Sequence, residues 1–201
     1  MQYKALPILF LTALATPVGE LLVNGGFDAV NSCPSDGWCN FGQSSISNIA
    51  PWTMITGDNF EIDRTPWSPD SAPYSMDLNS DTRGGFSDVL VTIGQTIATV
   101  PDKVYTLSFA LKGNKCNGQV PIKTGQVKIY KNLVSNGNLH FTENFSHNIN
   151  QNSNNWQYVS FSFIAQSSAT VITIGSTTPG TTCGPVIDSV SVVRTPNQCK
   201  V

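Results

Sequence analysis

The sequence predicts an all-β protein, a single antiparallel β-sandwich of the jelly-roll type. About ten short segments alternate apolar and polar residues or are rich in β-branched residues, and Gly, Pro, Asn and Ser separate them. No segment beyond the N-terminus has the periodicity of an amphipathic helix. A chain of 201 residues holds one sizeable core rather than two. We therefore expect one domain over residues 20–195, followed by a short tail at 196–201.

The N-terminus has the pattern of a secretory signal peptide over residues 1–19. An apolar run at 5–11 is followed by small residues that suit signal peptidase, so cleavage is expected after Ala15, with Gly19 as the alternative. The run is too short to span a bilayer. The mature protein is therefore expected to be secreted, outside the cell or in a cell wall, where disulfides persist.

The predicted strands of the first half are bounded by Gly-rich turns. They are Glu20–Phe27, Trp52–Ile55, Asn59–Asp63, Tyr74–Leu78 and Val91–Ile97. The first is apolar and ends at a Gly-Gly pair, the second and third are separated by Thr-Gly-Asp, and the last two alternate on either side of a Gly-rich connection. Residues 29–51 have no sustained periodicity and are predicted to form a long loop.

The predicted strands of the second half follow the same pattern. They are Val104–Leu111, Gln126–Tyr130, Leu139–Thr142, Tyr158–Phe163, Ala169–Ile174 and the segment after Cys183-Gly184-Pro185. The first of these is the clearest, because Tyr, Leu and Phe share one face while Thr, Ser and Ala share the other. Residues 144–155, rich in Asn and Ser, are predicted to be a mobile connection.

The last strand contains a carboxylate where core residues are expected. Simple alternation puts Asp188 on the same face as Val186, Val190 and Val192. Burying a carboxylate without a partner is costly in free energy. Asp188 therefore needs backbone N–H donors, a Lys or Arg, or a cation.

All five cysteines lie beyond the predicted signal peptide. Cys33 and Cys39 bracket a short loop and could close it locally, while Cys116 and Cys183 flank predicted strands and could join distant parts of the fold. Cys199, near the C-terminus, is left over as a free thiol or an intermolecular link.

The low charge argues against some classes of partner. Only 12% of residues are charged and the net charge is −2, which indicates neither nucleic-acid binding nor electrostatic attraction to a membrane. A composition rich in Ser, Thr, Asn and Gly is typical of an extracellular β-protein instead. Asn144-Phe145-Ser146 is a sequon, so Asn144 is a candidate glycosylation site.

Aromatic residues in loops are candidates for sugar binding, which needs flat apolar faces with polar groups around them. Trp38, Trp67 and Tyr74 lie in or beside predicted loops, and Arg64 is close to them in sequence. The other two tryptophans open predicted strands and are expected in the core.

An enzymatic alternative has less support. Glu61, Asp63 and Asp77 could supply the two carboxyl groups of a glycoside hydrolase, although acids on sandwich strands more often face solvent or bind metal. His140 and His147 have no Gly-x-Ser-x-Gly elbow beside them and are expected at the surface. We therefore expect a non-catalytic protein.

Several blocks of sequence resemble one family, in the order that the family has them. They are Gly94–Phe109, Gly113–Cys116, Trp156–Phe163 and Cys183–Val190, preceded by Asn24-Gly25-Gly26-Phe27-Asp28 and Pro51-Trp52. The chain is similar to the domain of unknown function 642 family over nearly the whole predicted mature length.

This resemblance implies a galactose-binding-domain-like jelly roll, similar to the carbohydrate-binding modules of families 4, 9 and 22, in proteins associated with plant cell walls. It implies a polysaccharide partner such as pectin or hemicellulose, and a wall-modifying enzyme as a second kind of partner, with no catalytic activity established. We therefore expect a secreted carbohydrate-binding protein. The alternative is an interaction module that recruits a wall enzyme.

The resemblance also implies two local features. Family members have cysteines at the positions that match Cys116 and Cys183, which favours that pairing. The related modules hold a structural calcium ion between the opening turn and the acid of the last strand, which correspond here to Asp28 and Asp188, with Glu61 as a weaker third ligand. Calcium prefers several oxygen ligands, and the alternative is that each acid caps a turn through backbone N–H groups.

Overall fold

The structure, a computed structural model, describes residues 19–30, 33, 37–64, 68–82, 85–115, 120–151 and 155–196, without the side chains at 43–44 and 81–88. Its strands are β1 Trp38–Gly42, β2 Thr53–Thr56, β3 Asn59–Asp63, β4 Ser75–Asp77, β5 Asn79–Thr82, β6 Gly85–Leu90, β7 Thr92–Ala98, β8 Val104–Gly113, β9 Ile122–Lys131, β10 Leu139–Asn148, β11 Gln157–Ile164, β12 Ala169–Ser176 and β13 Pro185–Arg194. Two 3₁₀ helices, Gln43–Ile49 and Asn136–Asn138, complete this part of the chain. No helix among the described residues is long and apolar enough to cross a bilayer.

Two antiparallel sheets form the sandwich. The six-stranded sheet has the strand order β1-β3-β4-β13-β8-β11, and the five-stranded sheet has the order β10-β9-β12-β7-β2. Strands β5 and β6 form a separate hairpin. The inner faces of both large sheets contribute to one hydrophobic core. The predicted all-β jelly-roll sandwich is confirmed.

Strand β8 shows how the alternating pattern produces the core. Tyr105, Leu107, Phe109 and Leu111 are all buried on one face. Phe109 packs edge-on against Phe145 of the opposite sheet, with ring centroids 5.2 Å apart. Burying each such side chain contributes about 1.5–3 kcal/mol to folding, so this strand contributes to holding the two sheets together.

Two features near the N-terminus differ from the prediction. The expected first strand is not continuous, because Glu20 pairs with Val193 only as an isolated bridge. Asn24 and Phe27 then adopt positive φ angles of 57° and 58°, so the chain turns there. The loop expected to follow contains strand β1 and a 3₁₀ helix. Strand β1 is an edge strand that pairs with β3 alone, so it needs little apolar alternation.

Two other segments also form more regular structure than predicted. Strand β10 extends into the Asn-rich segment that was expected to be mobile, because its backbone pairs with β9 as far as Asn148. An edge strand such as β10 can pair through its backbone although its side chains are mostly polar. The Gly-rich connection before β7 contains the β5–β6 hairpin.

The predicted orientation of the last strand is wrong. The register of β13 against β8 shifts between Asp188 and Ser191, and Ser189 has a φ of 51°, so a β-bulge lies here. The extra residue reverses the alternation. Val190 and Val192 consequently point into the core, while Asp188 lies on the outer face of the sheet, opposite Ala110.

The N-terminal segment lies against β13. The amide of Leu21 donates to the carbonyl of Val192, and the amide of Val190 donates to the carbonyl of Gly25, both at 2.9 Å. A Cβ atom on Gly25 would lie 1.9 Å from the Val190 carbonyl oxygen. Only glycine therefore allows this close approach.

Gly25→Ala should destabilise the protein. The added methyl group cannot avoid the Val190 carbonyl unless the N-terminal segment moves off β13, so we expect the free energy of unfolding to fall by about 1–3 kcal/mol. Denaturant titration followed by tryptophan fluorescence measures this loss. The control is Gly137→Ala, because nothing lies within 4 Å of a Cβ atom there. An equal loss in both variants would contradict the explanation.

Candidate ligand-binding cleft

The outer face of the five-stranded sheet carries a cleft with a cavity of about 160 Å³. Strands β2, β7, β12 and β9 lie side by side beneath it and span about 14 Å at the usual strand spacing. The residues that line the cavity are Ile55, Thr56, Thr92, Gln126, Lys128, Tyr130, Thr173, Gly175, Ser176 and Thr177. Most of them carry groups that form hydrogen bonds.

Strand register places the polar side chains in two rows that cross the sheet. The first row consists of Thr92, Gly175, Gln126 and Asn144, and the second consists of Gly94, Thr173, Lys128 and Thr142. Residues paired directly across antiparallel strands point to the same side. Hydroxyl, amide and ammonium groups therefore share this face, while the residues that alternate with them fill the core.

Two glycines lower the floor of the cleft. A Cβ atom on Gly175 would lie 2.2 Å from the Thr92 hydroxyl oxygen, and one on Gly94 would lie 3.1 Å from the Ile55 side chain. Glycine inside a strand often marks a place where another group comes close to the backbone. Here the missing side chains leave the depression into which the neighbouring polar groups project.

The cleft combines one positive charge with neutral hydrogen-bonding groups. Lys128 is its charged residue, and no carboxylate lines it in the described part of the chain. Burial raises the pKa of Tyr130, so its phenol stays neutral near pH 7. The hydroxyl of Thr173 donates to the Lys128 carbonyl at 3.2 Å. This hydrogen bond holds the Thr173 side chain against the floor of the cleft.

The candidate glycosylation site lies beside the cleft. Asn144 is exposed on β10, and its side-chain oxygen accepts a hydrogen bond from the Gln126 amide at 3.0 Å. Glycosylation of Asn144 stays a prediction. A glycan there would project next to Gln126, so it bears on any measurement of binding in the cleft.

Three of the residues predicted to bind sugar, Trp38, Tyr74 and Arg64, do not line this cleft. Trp38 is 54% exposed and lies on the outer face of the other sheet, where it pairs with Asp63. Tyr74 is buried, and the Arg64 guanidinium lies 5.7 Å from its ring centre, so its ring is not open for stacking. Trp67 lies outside the described residues.

The other tryptophans and one tyrosine range from fully buried to largely exposed. Trp52 is fully buried in the core, as expected from its place at a strand start. The expectation that Trp156 lies in the core is wrong, because it is only half-buried and outside the hydrophobic core. Its indole N–H donates to the carbonyl of Ser68, and the ammonium of Lys112 lies 5.3 Å from its ring centre. Tyr158, which the sequence did not single out, is 75% exposed on β11.

The carboxylate of Asp188 is satisfied by hydrogen bonds. Ser71 donates to it through its backbone amide at 2.8 Å and its hydroxyl at 2.9 Å, and the amide of Ser189 donates at 2.6 Å. Burial raises the pKa of Asp188 to about 6, although these hydrogen bonds act in the opposite direction. Asp28 lies nearby, because its carboxylate and the Ser71 hydroxyl both approach Gly26 closely. The opening turn and the last strand therefore meet around Ser71.

The calcium ion implied by the resemblance stays a prediction. Asp28, Asp188 and Ser71 offer oxygen donors close together, which fits the preference of calcium. The expected third ligand, Glu61, lies elsewhere. Its carboxyl group is grouped with those of Asp63 and Asp77, with ligand atoms within 4.8 Å of one another.

The disulfide expected between Cys33 and Cys39 is present, and it ties the segment before β1 to that strand. Cys183 is also disulfide-bonded. Its expected partner, Cys116, lies outside the described residues, as does Cys199.

His147 is not at the surface as predicted. It is fully buried on the inner face of β10, directly opposite Lys123, because β10 continues beyond its expected end. Burial lowers the pKa of His147, the nearby Gln157 side chain opposes this, and the charge of Lys112 lowers the pKa further. His140 is half-buried.

Comparison with solved structures supports the β-sandwich jelly-roll fold class. TmCBM61 in complex with β-1,4-galactotriose is similar, with a TM-score of 0.52 and 14% identity over 88% of this chain and 99% of that chain. An arabinose-bound MgGH51 α-L-arabinofuranosidase is similar with a TM-score of 0.58 and 15% identity, over 87% of this chain but only 26% of that chain. At these identities the likeness shows the fold alone.

The chain belongs to the family described as "Protein of unknown function (DUF642)", whose family model matches residues 85–193. This range runs from β6 into β13 and includes every strand beneath the cleft except β2. The resemblance inferred from the sequence blocks is confirmed. No curated protein matches the sequence.

The sequence contained one signal for the cleft. Thr92, Gln126 and Lys128 are ordinary residues for the exposed side of a strand, so their types alone indicate nothing. Gly94 and Gly175 interrupt two otherwise regular strands, however, and interior glycine marks a bulge or a close approach. The loop residues Trp38, Trp67, Tyr74 and Arg64 stay a separate prediction for sugar binding.

The burial of His147 should make the protein less stable in acid. In the folded state the pKa of His147 is lowered, whereas the unfolded chain takes up a proton near the ordinary value of about 6.5. The unfolded state therefore binds more protons as the pH falls below that value, and the free energy of unfolding decreases.

His147→Gln should accordingly reduce the loss of stability between about pH 6.5 and pH 5. Thermal unfolding of both proteins across this range measures the difference in pH dependence. His140→Gln is the control. Identical pH profiles for the wild type and His147→Gln would rule out this contribution.

Proposed function

We propose that the protein is a non-catalytic carbohydrate-binding module that holds a polysaccharide in the cleft of the five-stranded sheet. The observation that carries this proposal is the pair of polar rows across β7, β12 and β9, above a floor lowered by Gly94 and Gly175. The family has no assigned function and a shared fold does not define one, so the argument has to rest on this site.

The chemistry of the cleft matches a sugar polymer. Sugar hydroxyls donate and accept hydrogen bonds, and the Gln126 amide and the hydroxyls of Thr92 and Tyr130 can do both in return. Lys128 adds donors and a positive charge, which favours polymers that carry carboxylates, such as pectin. Apolar contact comes from Ile55 and the ring of Tyr130.

The burial of the acids argues against hydrolysis and therefore favours binding as the function. Asp63 and Asp77 are both fully buried. A general acid has to contact the oxygen of the bond that it cleaves. A glycosidic bond cannot reach these groups in this conformation, although Glu61 beside them is partly exposed.

We infer that this binding takes place outside the cell. The signal-like N-terminus and the disulfide between Cys33 and Cys39 support secretion. The first polymers to test are pectin and hemicellulose, together with β-1,4-galactan, because the similar TmCBM61 was solved with β-1,4-galactotriose.

Gln126→Ala and Lys128→Ala should each weaken binding to the polysaccharide by about tenfold, which is the effect of losing one hydrogen bond that involves a charged or buried group. A polysaccharide and glycan array identifies the ligand, and calorimetry measures its affinity. The variants are made with Ser146→Ala, which destroys the sequon while Asn144 keeps its contact with Gln126.

Trp38→Ala is the matched comparison, because Trp38 lies on the opposite side of the sandwich. Full affinity in this variant is expected. Lost binding in Trp38→Ala with unchanged binding in both cleft variants would move the site to the six-stranded sheet and refute the cleft.

A module that recruits a wall-modifying enzyme is the second candidate. The edge strand β11 favours it, because Tyr158 and Ile164 are 75% and 57% exposed there. Capture of an enzyme from a wall extract after digestion of all polysaccharide would support this function. Capture that depends on polysaccharide would support the carbohydrate-binding function.

A further inference from the structure

Three carboxyl groups meet on the outer face of the six-stranded sheet, away from the cleft. Glu61 and Asp77 are direct neighbours across β3 and β4, and Asp63 lies two residues further along β3 on the same face. Their ligand atoms all lie within 4.8 Å of one another. Like charges at this spacing repel each other, so the arrangement needs a compensating group.

Of the three acids, Asp63 is the one whose charge is least compensated by the described neighbouring groups. It is fully buried, and neither of its carboxylate oxygens has a hydrogen-bond partner among the described residues. Burial raises the pKa of Asp63 well above its usual range, the charge of Asp77 raises it further, and only contact with the Glu61 carboxyl group lowers it.

Ser75 is an independent observation at the same place. It pairs directly with Asp63, so its side chain points to the same face. Ser75 is fully buried, and its hydroxyl has no partner either. A buried hydroxyl and a buried carboxylate normally satisfy each other. Here the Ser75 hydroxyl and the Asp63 carboxylate lie on the same face as the other two acids, and neither has a hydrogen bond among the described residues.

The described neighbours of Asp77 do not offset the effect of its burial. Burial raises the pKa of Asp77 to about 7 despite hydrogen bonds from Asn79, Asn114 and Gly184, and Lys123 makes the smallest contribution in lowering it. The Lys123 ammonium donates at 2.6 Å to the carbonyl of Cys183. Each carboxylate oxygen has two lone pairs, so Asp77 can still coordinate an ion.

We propose that Glu61, Asp63 and Asp77, with the hydroxyl of Ser75, bind a calcium ion. All four donors are oxygens, which suits a hard cation rather than zinc or copper. Asp63, Ser75 and Asp77 are buried, which leaves little room for water, whereas magnesium usually keeps several waters. The bound ion joins β3 to β4 beside the edge strand that carries Trp38.

This ion is separate from the one implied between Asp28 and Asp188. That pair lies around Ser71 and Gly26, at the end of the opening turn. The two hypotheses therefore predict different sensitive residues, and one set of variants can distinguish them.

Calcium binding to the chelator-treated protein is measured by calorimetry and by thermal unfolding near neutral pH. We expect calcium to raise the melting temperature, as any ligand of the folded state does. Asp63→Asn should weaken calcium binding by about tenfold or more. Without calcium, the same variant should melt no lower than the wild type, because Asn keeps the shape of the side chain and carries no charge that burial and the neighbouring acids would disfavour.

Two further variants complete the design. Asp102→Asn is the matched control, since Asp102 is an exposed acid at a turn with a φ of 61°, which Asn also tolerates. Ser75→Ala serves as a second test that leaves the charge unchanged, and it should also weaken calcium binding more than the control does.

The proposal is overturned if the chelator-treated wild type binds no calcium, or binds magnesium more tightly. It is also overturned if Asp188→Asn abolishes calcium binding while Asp63→Asn and Ser75→Ala leave the affinity unchanged. Loss of affinity in Asp63→Asn and Ser75→Ala, with binding retained in Asp102→Asn, supports it.

Discussion

The β-bulge at Ser189 determines how the six-stranded sheet is arranged. Strand β13 lies in the middle of this sheet, between β4 and β8. The positive φ of Ser189 inserts one residue, so Ile187 and Val190 both face the core while Asp188 between them faces outward. A regular strand cannot place side chains in this way. The amide of Val190 donates to the carbonyl of Gly25 at the same point, so the bulge also positions the N-terminal segment.

The outward carboxylate of Asp188 explains why the part of this face around β13 is covered. It accepts hydrogen bonds from the amide and hydroxyl of Ser71, while Asp70 accepts hydrogen bonds from the hydroxyls of Ser189 and Tyr158. These contacts hold the segment before β4 over the sheet. The buried acids lie on this covered face, whereas the cleft lies on the open face of the other sheet. The covered part of the six-stranded sheet and the cleft therefore have different chemistry.

Strands whose side chains fill the core can be predicted from one sequence. Features that depend on which strands pair, and in which register, cannot. The alternation in β8 and β12 reflects burial, which the side chains record directly. Strand β1 and the β5–β6 hairpin are defined by the backbone of their partners, so their composition resembles that of loops. The bulge has only a weak signal, an Asp-Ser pair within a run of valines. The cleft depends on register across four strands, and Gly94 and Gly175 are its only local trace.

The cleft owes its geometry to the core beneath it. Thr173 lies between Ile172 and Ile174, and Lys128 lies between two core residues in the same way, so the backbone cannot shift without disturbing close packing. Groups fixed in this way lose little freedom when a ligand binds, and the cost of ordering falls mainly on the long side chains of Gln126 and Lys128. Outward residues can also change without affecting the core. The fold can therefore persist at 14% identity while the ligand differs, and the identity of the polymer has to be established from these outward residues themselves.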